Sequence, residues 1–306
     1  MKRVFRKKHV SGVIPISNMA ENFGTLYTSL LLPLNERYSI IKNAVMECAY
    51  AGCDTIWIVV DENLLWSIKK EIGEWVYDPV VDDRKLFTLY KGIGMPEKTI
   101  PILYTTIHPK DRDRRSSYGW SVLHGINASW RASHYISKWI EPQAYYVCFP
   151  HGVFDTRAVR KARLAIRHKK AYFSYNKKTI KDGLLTSFIM TPEDFSTCRK
   201  WINRNTTRTY YPPDEEKGEI YPTKKRPIHE RWSAKNFTLE QVFSEMDFTN
   251  RVQIDLEWFY DTSTFKGYSE AISNCDKIYI PHEKYHKTHL INKMGLFHNT
   301  SLYNPE

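Results

Sequence analysis

Within the first sixty residues, three segments follow one another in an order that fixes the fold class. Val10–Ser17 is a short apolar run that passes into the polar, glycine-ended stretch 18–24, which is how a strand leads into a loop. Between Ser39 and Ala51, the residues Ile41, Ala44, Val45 and Cys48 recur at the spacing of one helix face, and Gly52 stands where a left-handed cap belongs. Thr55–Val60 is β-branched, aromatic and apolar without alternation, as strands covered on both faces are. Strand, loop, helix and strand make a βαβ unit, and a parallel sheet follows.

The pattern continues downstream. Thr99–Ile107 reads as a strand, Gly119–Trp139 as a long helix and Ala144–Phe149 as another buried strand. Asp155 or Thr156 caps a helix running to about His168, with Val159, Ala162 and Ile166 on its inner face. Ala171–Tyr175 and Leu184–Met190 read as further strands, and Thr191-Pro192-Glu193-Asp194 opens a helix that ends near Asn203. Residues 205–235 carry four prolines, Pro212, Pro213, Pro222 and Pro227, and few aliphatics, so a long loop or insertion is expected there. Structure resumes with Leu239–Met246, Val252–Leu256, Trp258–Asp261 and a helix over Phe265–Ser273. The expected architecture is α/β, a mostly parallel central sheet with helices on both faces. A basic arm (1–9) precedes this domain (10–275), and a polar tail (276–306) follows it.

Composition narrows the class. With 306 residues, 42% hydrophobic and 26% charged, the chain has the balance of a globular protein rather than of a disordered or fibrous one. No apolar run reaches the roughly 18 residues of a membrane-spanning helix, and the basic start lacks the apolar core of a secretory signal, so a cytoplasmic address is expected. The five cysteines, Cys48, Cys53, Cys148, Cys198 and Cys275, have no metal-ligand spacing and read as reduced, mostly buried small hydrophobes. The net charge of +11 is concentrated: Thr156–Lys181 holds ten Lys or Arg and no acid, and Lys2–Lys8 holds five more. Such clusters suit a phosphate, a polyanion or an acidic protein partner, with Arg157–Lys170 as the contact. A solvated helix face is the plainer alternative.

Several phrases resemble one family. Leu31-Leu32-Pro33-Leu34-Asn35-Glu36-Arg37-Tyr38-Ser39-Ile40-Ile41, with Ala51-Gly52-Cys53-Asp54-Thr55-Ile56 after it, resembles the opening of the sugar-phosphate nucleotidyltransferases. Tyr118–Leu123, Phe149–Asp155 and Trp258–Ala271 resemble three later motifs of that family, in the same order. The resemblance spans about residues 10–275 and implies a Rossmann-like fold of the nucleotide-diphospho-sugar transferase type. It implies a nucleoside triphosphate or nucleotide sugar as ligand, Mg2+ as cofactor and transfer of a nucleotidyl group to a sugar phosphate. In such chemistry, positive groups and a divalent metal offset charge gathering on the phosphate oxygens. The second reading keeps the scaffold as a non-catalytic binding module that uses its basic surfaces.

The resemblance also implies site residues. Asp261 falls at the second metal position, although an aspartate before Thr262-Ser263-Thr264 can equally cap the next helix. Pro150, His151 and Gly152 stand where the family has its first metal aspartate; His151 is a candidate for proton transfer or metal binding, with a structural role as the alternative. Asp155 is a helix cap or a metal ligand. Ser29 takes the place of the family's phosphate-binding lysine. Ser17, Asn18, Glu21 and Gly24 on the loop after the first strand, with Gly119 at a helix start, are candidates to line the phosphate or base site. Lys110, Arg112, Arg114 and Arg115 could replace the absent lysine, because arginine forks match phosphate geometry, or could be solvated cations paired with Asp111 and Asp113. His282, His286 and His289 include an i, i+4 pair but no third ligand for a metal.

Overall fold

A computed structural model describes residues 8–19, 23, 28–83, 98–108, 111, 117–136, 141–205 and 237–290. The opening unit forms as the sequence predicts. Strand β1 (Val10–Pro15) leads through helix α1 (Ile40–Ala51) to β4 (Thr55–Val59), and β1 and β4 pair in parallel from Ser11 opposite Thr55 to Pro15 opposite Val59. Gly52 ends α1 in the left-handed region at φ 85° and donates its N–H to Ala49. A two-stranded turn, β2 (Pro33–Asn35) with β3 (Tyr38–Ser39), precedes α1.

Beyond β4 come α2 (Glu62–Ile72), β5 (Trp75–Tyr77), α3 (Pro79–Asp83), β6 (Thr99–Thr105) and α4 (Tyr118–Ile136). Then follow β7 (Ala144–Val147), β8 (Gly152–Val153), α5 (Thr156–His168), β9 (Ala171–Ser174), β10 (Phe188–Met190) and α6 (Pro192–Asn205). The last elements are α7 (Leu239–Phe243), β11 (Val252–Asp255), β12 (Tyr260–Asp261), α8 (Phe265–Ser273) and α9 (Glu283–His286). The strand expected over Leu184–Met190 is shorter than its apolar content suggests. Gly183 sits at φ 78°, and a tight turn from Leu184 to Thr186 uses the backbone ahead of Phe188. All but the first residue of the proline-rich stretch 205–235 lies outside the described residues.

Eight strands form one sheet in the order β11-β9-β10-β7-β1-β4-β6-β5. β7, β1, β4 and β6 run parallel, while β10 and β5 run against their neighbours. The absence of alternation in the central strands has its cause in the packing. Val10 and Ile14 of β1 with Ile56 and Ile58 of β4 face one apolar cluster, which α1, α2 and α5 cover. Val13, Val59, Tyr145 and Val147 face a second, which α4, α6 and α7 cover. Both faces of the sheet are therefore buried. The tail beyond residue 275 contributes Ile278 and Tyr285 to the first cluster, and His289 stacks on Trp75 at 3.8 Å. No helix among the described residues is long and apolar enough to cross a membrane.

The basic helix α5 is less open than its composition suggests. Arg157 pairs with Asp155 at 2.9 Å, Arg160 with Asp83 at 2.9 Å, Arg163 with Asp78 at 2.6 Å and Arg167 with Asp54 at 3.1 Å. Arg163 and Arg167 also donate to Ala49, Tyr50 and Gly52 at the carboxyl end of α1. Arg163 and Arg167 thereby fasten α5 to α1, while Arg157, Lys161, Lys169 and Lys170 remain exposed.

Candidate functional site

In an open α/β sheet, ligands gather beyond the carboxyl ends of the strands where the strand order reverses. Here the chain moves from β1 outward to β4 and β6, then returns through α4 to place β7 on the other side of β1. The reversal point lies between β1 and β7. A cleft of about 520 Å³ opens there, lined by Asn18 and Met19 after β1, Ser117 and Tyr118 at the start of α4, Leu185 ahead of β10, Phe237 and Leu239 around α7, and Asp261 with Ser263. A larger groove of about 850 Å³ lies at the amino ends of β7, β9 and β11, against Lys8, Lys169 and Lys170. Strand-tip geometry and the gathering of distant polar residues make the smaller cleft the candidate site.

The cleft is built from both ends of the chain. After β1, Ser17 donates its amide to Val59, and Asn18 turns the backbone into the left-handed region at φ 59°, a conformation that asparagine tolerates. Ser121 of α4 donates to the Ser17 carbonyl at 2.5 Å, Asn18 donates its side-chain amide to Ser121 at 3.5 Å, and Tyr118 donates to the Pro15 carbonyl at 3.2 Å. On the other side, β12 pairs with β8, Asp261 opposite Gly152. The exposed Asp261 carboxylate accepts the Ser263 amide at 3.0 Å, while Thr264 caps α8. The capping alternative for Asp261 is thus taken by another residue, and its own side chain faces the cleft rim.

Beneath this rim, Ser29, His151 and Thr262 are 1%, 0% and 0% exposed. Ser29 Oγ lies 3.1 Å from His151 Nε2, and His151 Nδ1 lies 3.0 Å from Thr262 Oγ1. The Thr262 amide donates to the His151 carbonyl at 2.9 Å. The turn before β2, the turn after β7 and strand β12 are thereby fastened at one point.

The structure thus brings Asn18 and Asp261 together in one cleft. It does not bring Ser17, Gly119, His151 or Asp155 to its surface. Ser17 is buried behind the wall, its hydroxyl donated to Asp61. Gly119 is buried, and a methyl group there would meet Val242 of α7 at 2.8 Å, so its lack of a side chain serves helix packing. His151 is fully buried and does not line the cleft. Asp155 caps α5, accepting the Arg157 amide at 2.9 Å, and borders a separate groove with Ala158 and Trp258. Glu21, Gly24, Lys110, Arg112, Arg114 and Arg115 lie outside the described residues. Of the tail histidines, His282 caps α9, His286 is buried against Tyr38 and His289 stacks on Trp75.

Among the described residues the cleft offers Mg2+ one carboxylate, Asp261, which holds the ion only together with ligand phosphates. Among the described residues no three His, Cys, Asp or Glu side chains converge on a metal position. Asp261 is the one carboxylate among the described residues that line the cleft, and His151 directs both ring nitrogens at hydroxyls. Sequence reading missed Tyr118, Leu185, Phe237 and Leu239, the apolar walls. Their apolar character alone did not distinguish them from core, and only their convergence marks them.

No family model matches the sequence, and no curated protein matches it. Solved structures similar to the chain include a UDP-glucose pyrophosphorylase complexed with UDP-glucose, at 12% identity over 87% of this chain and 97% of that chain, with a TM-score of 0.44. The apo form of UDP-glucose pyrophosphorylase is 14% identical over 87% and 97%, with a TM-score of 0.43. A protein described as a glucose-1-phosphate thymidylyltransferase from Bacillus anthracis, in complex with a sucrose, is 10% identical over 90% and 98%, with a TM-score of 0.46.

Proposed function

We propose that this chain is a divergent nucleotidyltransferase-like protein that binds a nucleoside triphosphate or a nucleotide sugar in the cleft between β1 and β7. The observation that carries this reading is the meeting of Asn18 and Asp261, far apart in sequence, at the carboxyl tips of strands where the strand order reverses. The apolar walls, Met19, Tyr118, Leu185, Phe237 and Leu239, suit the flat face of a base, and the neighbouring hydroxyls and amide suit ribose or hexose hydroxyls. The activity that accompanies this reading is nucleotidyl transfer to a sugar phosphate with release of pyrophosphate. The use of Arg163 and Arg167, the two least exposed α5 arginines, on Asp78 and Asp54 weighs against the alternative, a polyanion-binding module.

A panel of nucleoside triphosphates and nucleotide sugars, tested by thermal unfolding, checks the reading. A ligand held at about a hundred times its Kd stabilises the folded state by about 2.7 kcal/mol, so at least one member should raise Tm by several degrees. Asp261→Asn should abolish that rise without changing the Tm of the free protein. If no member of the panel raises Tm, the reading is wrong.

A further inference from the structure

The chain closes one margin of its eight-stranded sheet and leaves the other open. Beside β5, the tail bridges Gly73 through His289, whose carbonyl accepts the Glu74 amide at 2.6 Å. At the opposite margin, Val252 and Leu256 donate their amides inward, to the carbonyls of Lys170 and Ser174. Backbone groups alternate in direction along a strand, so Gln253 and Asp255 turn amide and carbonyl outward. Both residues are exposed, and nothing among the described residues pairs with that side of β11. Such a row is a template for a further strand. On the α5 side, Val252, Ile254, Leu256 and Trp258 line a groove of about 390 Å³ with Ala158 and Ala162 of the helix. Its two ends differ in charge. Asp155 and Glu257 stand at the carboxyl end of β11, whereas at the amino end Lys8, Lys169 and Lys170 outnumber Glu141 and Glu193.

We infer that β11 is a dimerisation edge: a second copy of this chain adds its own β11 antiparallel to it about a twofold axis, joining the two sheets into one. The strand is self-complementary in one register. With Ile254 opposite Ile254 of the second copy, each Gln253 lies opposite the other's Asp255, and outward backbone groups meet outward backbone groups. Gln253 already bonds its own Asp255 at 2.8 Å, and pairing adds the carboxylate of the other copy. The adjacent register in one direction sets Asp255 against Asp255, like charges directly opposed. In the other direction it sets Asp255 against Arg251, whose amide is held by the Phe248 carbonyl at 3.2 Å and whose guanidinium pairs inside with Asp194 at 2.7 Å. The favoured register also packs Val252 against Leu256 of the other copy, so the two grooves merge into one apolar seam. Because the strands run opposite ways, the basic end of each copy comes beside the acidic end of the other, a self-complementary contact of the isologous kind. The pairing holds whatever the cleft binds.

Sedimentation velocity on the full chain between about 1 and about 100 µM tests the inference. The expected mass rises with concentration toward two chains. Gln253→Pro deletes only an outward amide from the ladder, a change that an edge strand tolerates, so it should keep the parent's Tm and stay a single chain throughout. Residues in a non-hydrogen-bonded antiparallel pair have Cα atoms about 4.5 Å apart, within disulfide range. Ile254→Cys should therefore give a disulfide-linked dimer in oxidised glutathione, and Ile254→Cys combined with Gln253→Pro should not. A parent that stays a single chain at the highest concentration overturns the inference. So does a dimer that Gln253→Pro leaves intact, or one in which Ile254→Cys does not cross-link. If Gln253→Pro lowers Tm, the cross-link in Ile254→Cys decides alone, its presence supporting the inference and its absence overturning it.

Discussion

Gly152 and Gly267 hold the backbone of Asp261 between them. A methyl group on Gly152 would collide with the Leu185 carbonyl, and one on Gly267 with the carbonyl of Asp261 itself. Backbone atoms cannot swing aside as a side-chain tip can, so Gly267→Ala should cost about 1–3 kcal/mol of stability and weaken ligand binding by shifting β12. Gly119→Ala meets only the Val242 side chain. It should cost less and leave ligand affinity unchanged, and paired denaturation and binding curves for the two variants check both statements. Ser29→Ala removes the hydroxyl that faces Nε2 of the buried His151, at a cost of about 1–3 kcal/mol, measurable by urea unfolding.

At the scale of elements, the firmest joint is the one between α1 and α5. Arg163 reaches from α5 to the terminal carbonyls of α1 and to Asp78, whose side chain is fully enclosed. Burial pushes the Asp78 carboxyl upward, but the hydrogen bonds and charge of Arg163, with Lys98 beyond it, hold it below its usual value. Its stabilising contribution is therefore complete above the ordinary carboxylate range and disappears as the pH falls through the lowered value. Arg163→Met should cost about 3–5 kcal/mol, since it leaves Asp78 buried and short of its main partner, and chemical denaturation at neutral pH measures this. The sheet and its helices were largely legible because α4, α5 and α6 each bury one periodic face, α1 carries an apolar stripe although it is enclosed on nearly every side, and β1, β4 and β7 are apolar on both. Helix α2 carries the same kind of periodic apolar face in Leu64, Leu65, Ile68 and Ile72. The cleft was less legible. Asp261 and Asn18 stood out as polar residues beside strand ends, but the pairing of Ser29 with His151 joins positions 122 residues apart, and no local pattern announces it.

For the whole molecule, the dependence of stability on pH turns on Glu47. It lies fully buried on α1, accepting from Tyr146 of β7 at 2.7 Å and from Ser187 ahead of β10. Burial raises its carboxyl to about 7, against the opposing pull of its hydrogen bonds to Ser187 and Tyr146. The folded chain thus holds this proton more tightly than the unfolded chain. The stabilisation is complete below the ordinary glutamate value near 4.5 and is lost as the pH rises through about 7. Glu47→Gln, which keeps the shape without the charge, should remove this slope and stabilise the protein at pH ~8 by on the order of 3 kcal/mol relative to its parent. Unfolding curves from pH ~5 to ~8 for the two proteins, compared as differences, isolate the effect from other titrating groups. The placement of Asn18 and Asp261 on facing walls has a consequence for synthesis. A nascent polypeptide that has emerged only as far as β11 already owns most of its sheet but lacks the carboxylate that completes the cleft. On the proposed binding, a fragment ending before residue 258 lacks Asp261 and should ignore every nucleotide or nucleotide sugar that raises the Tm of the longer chain.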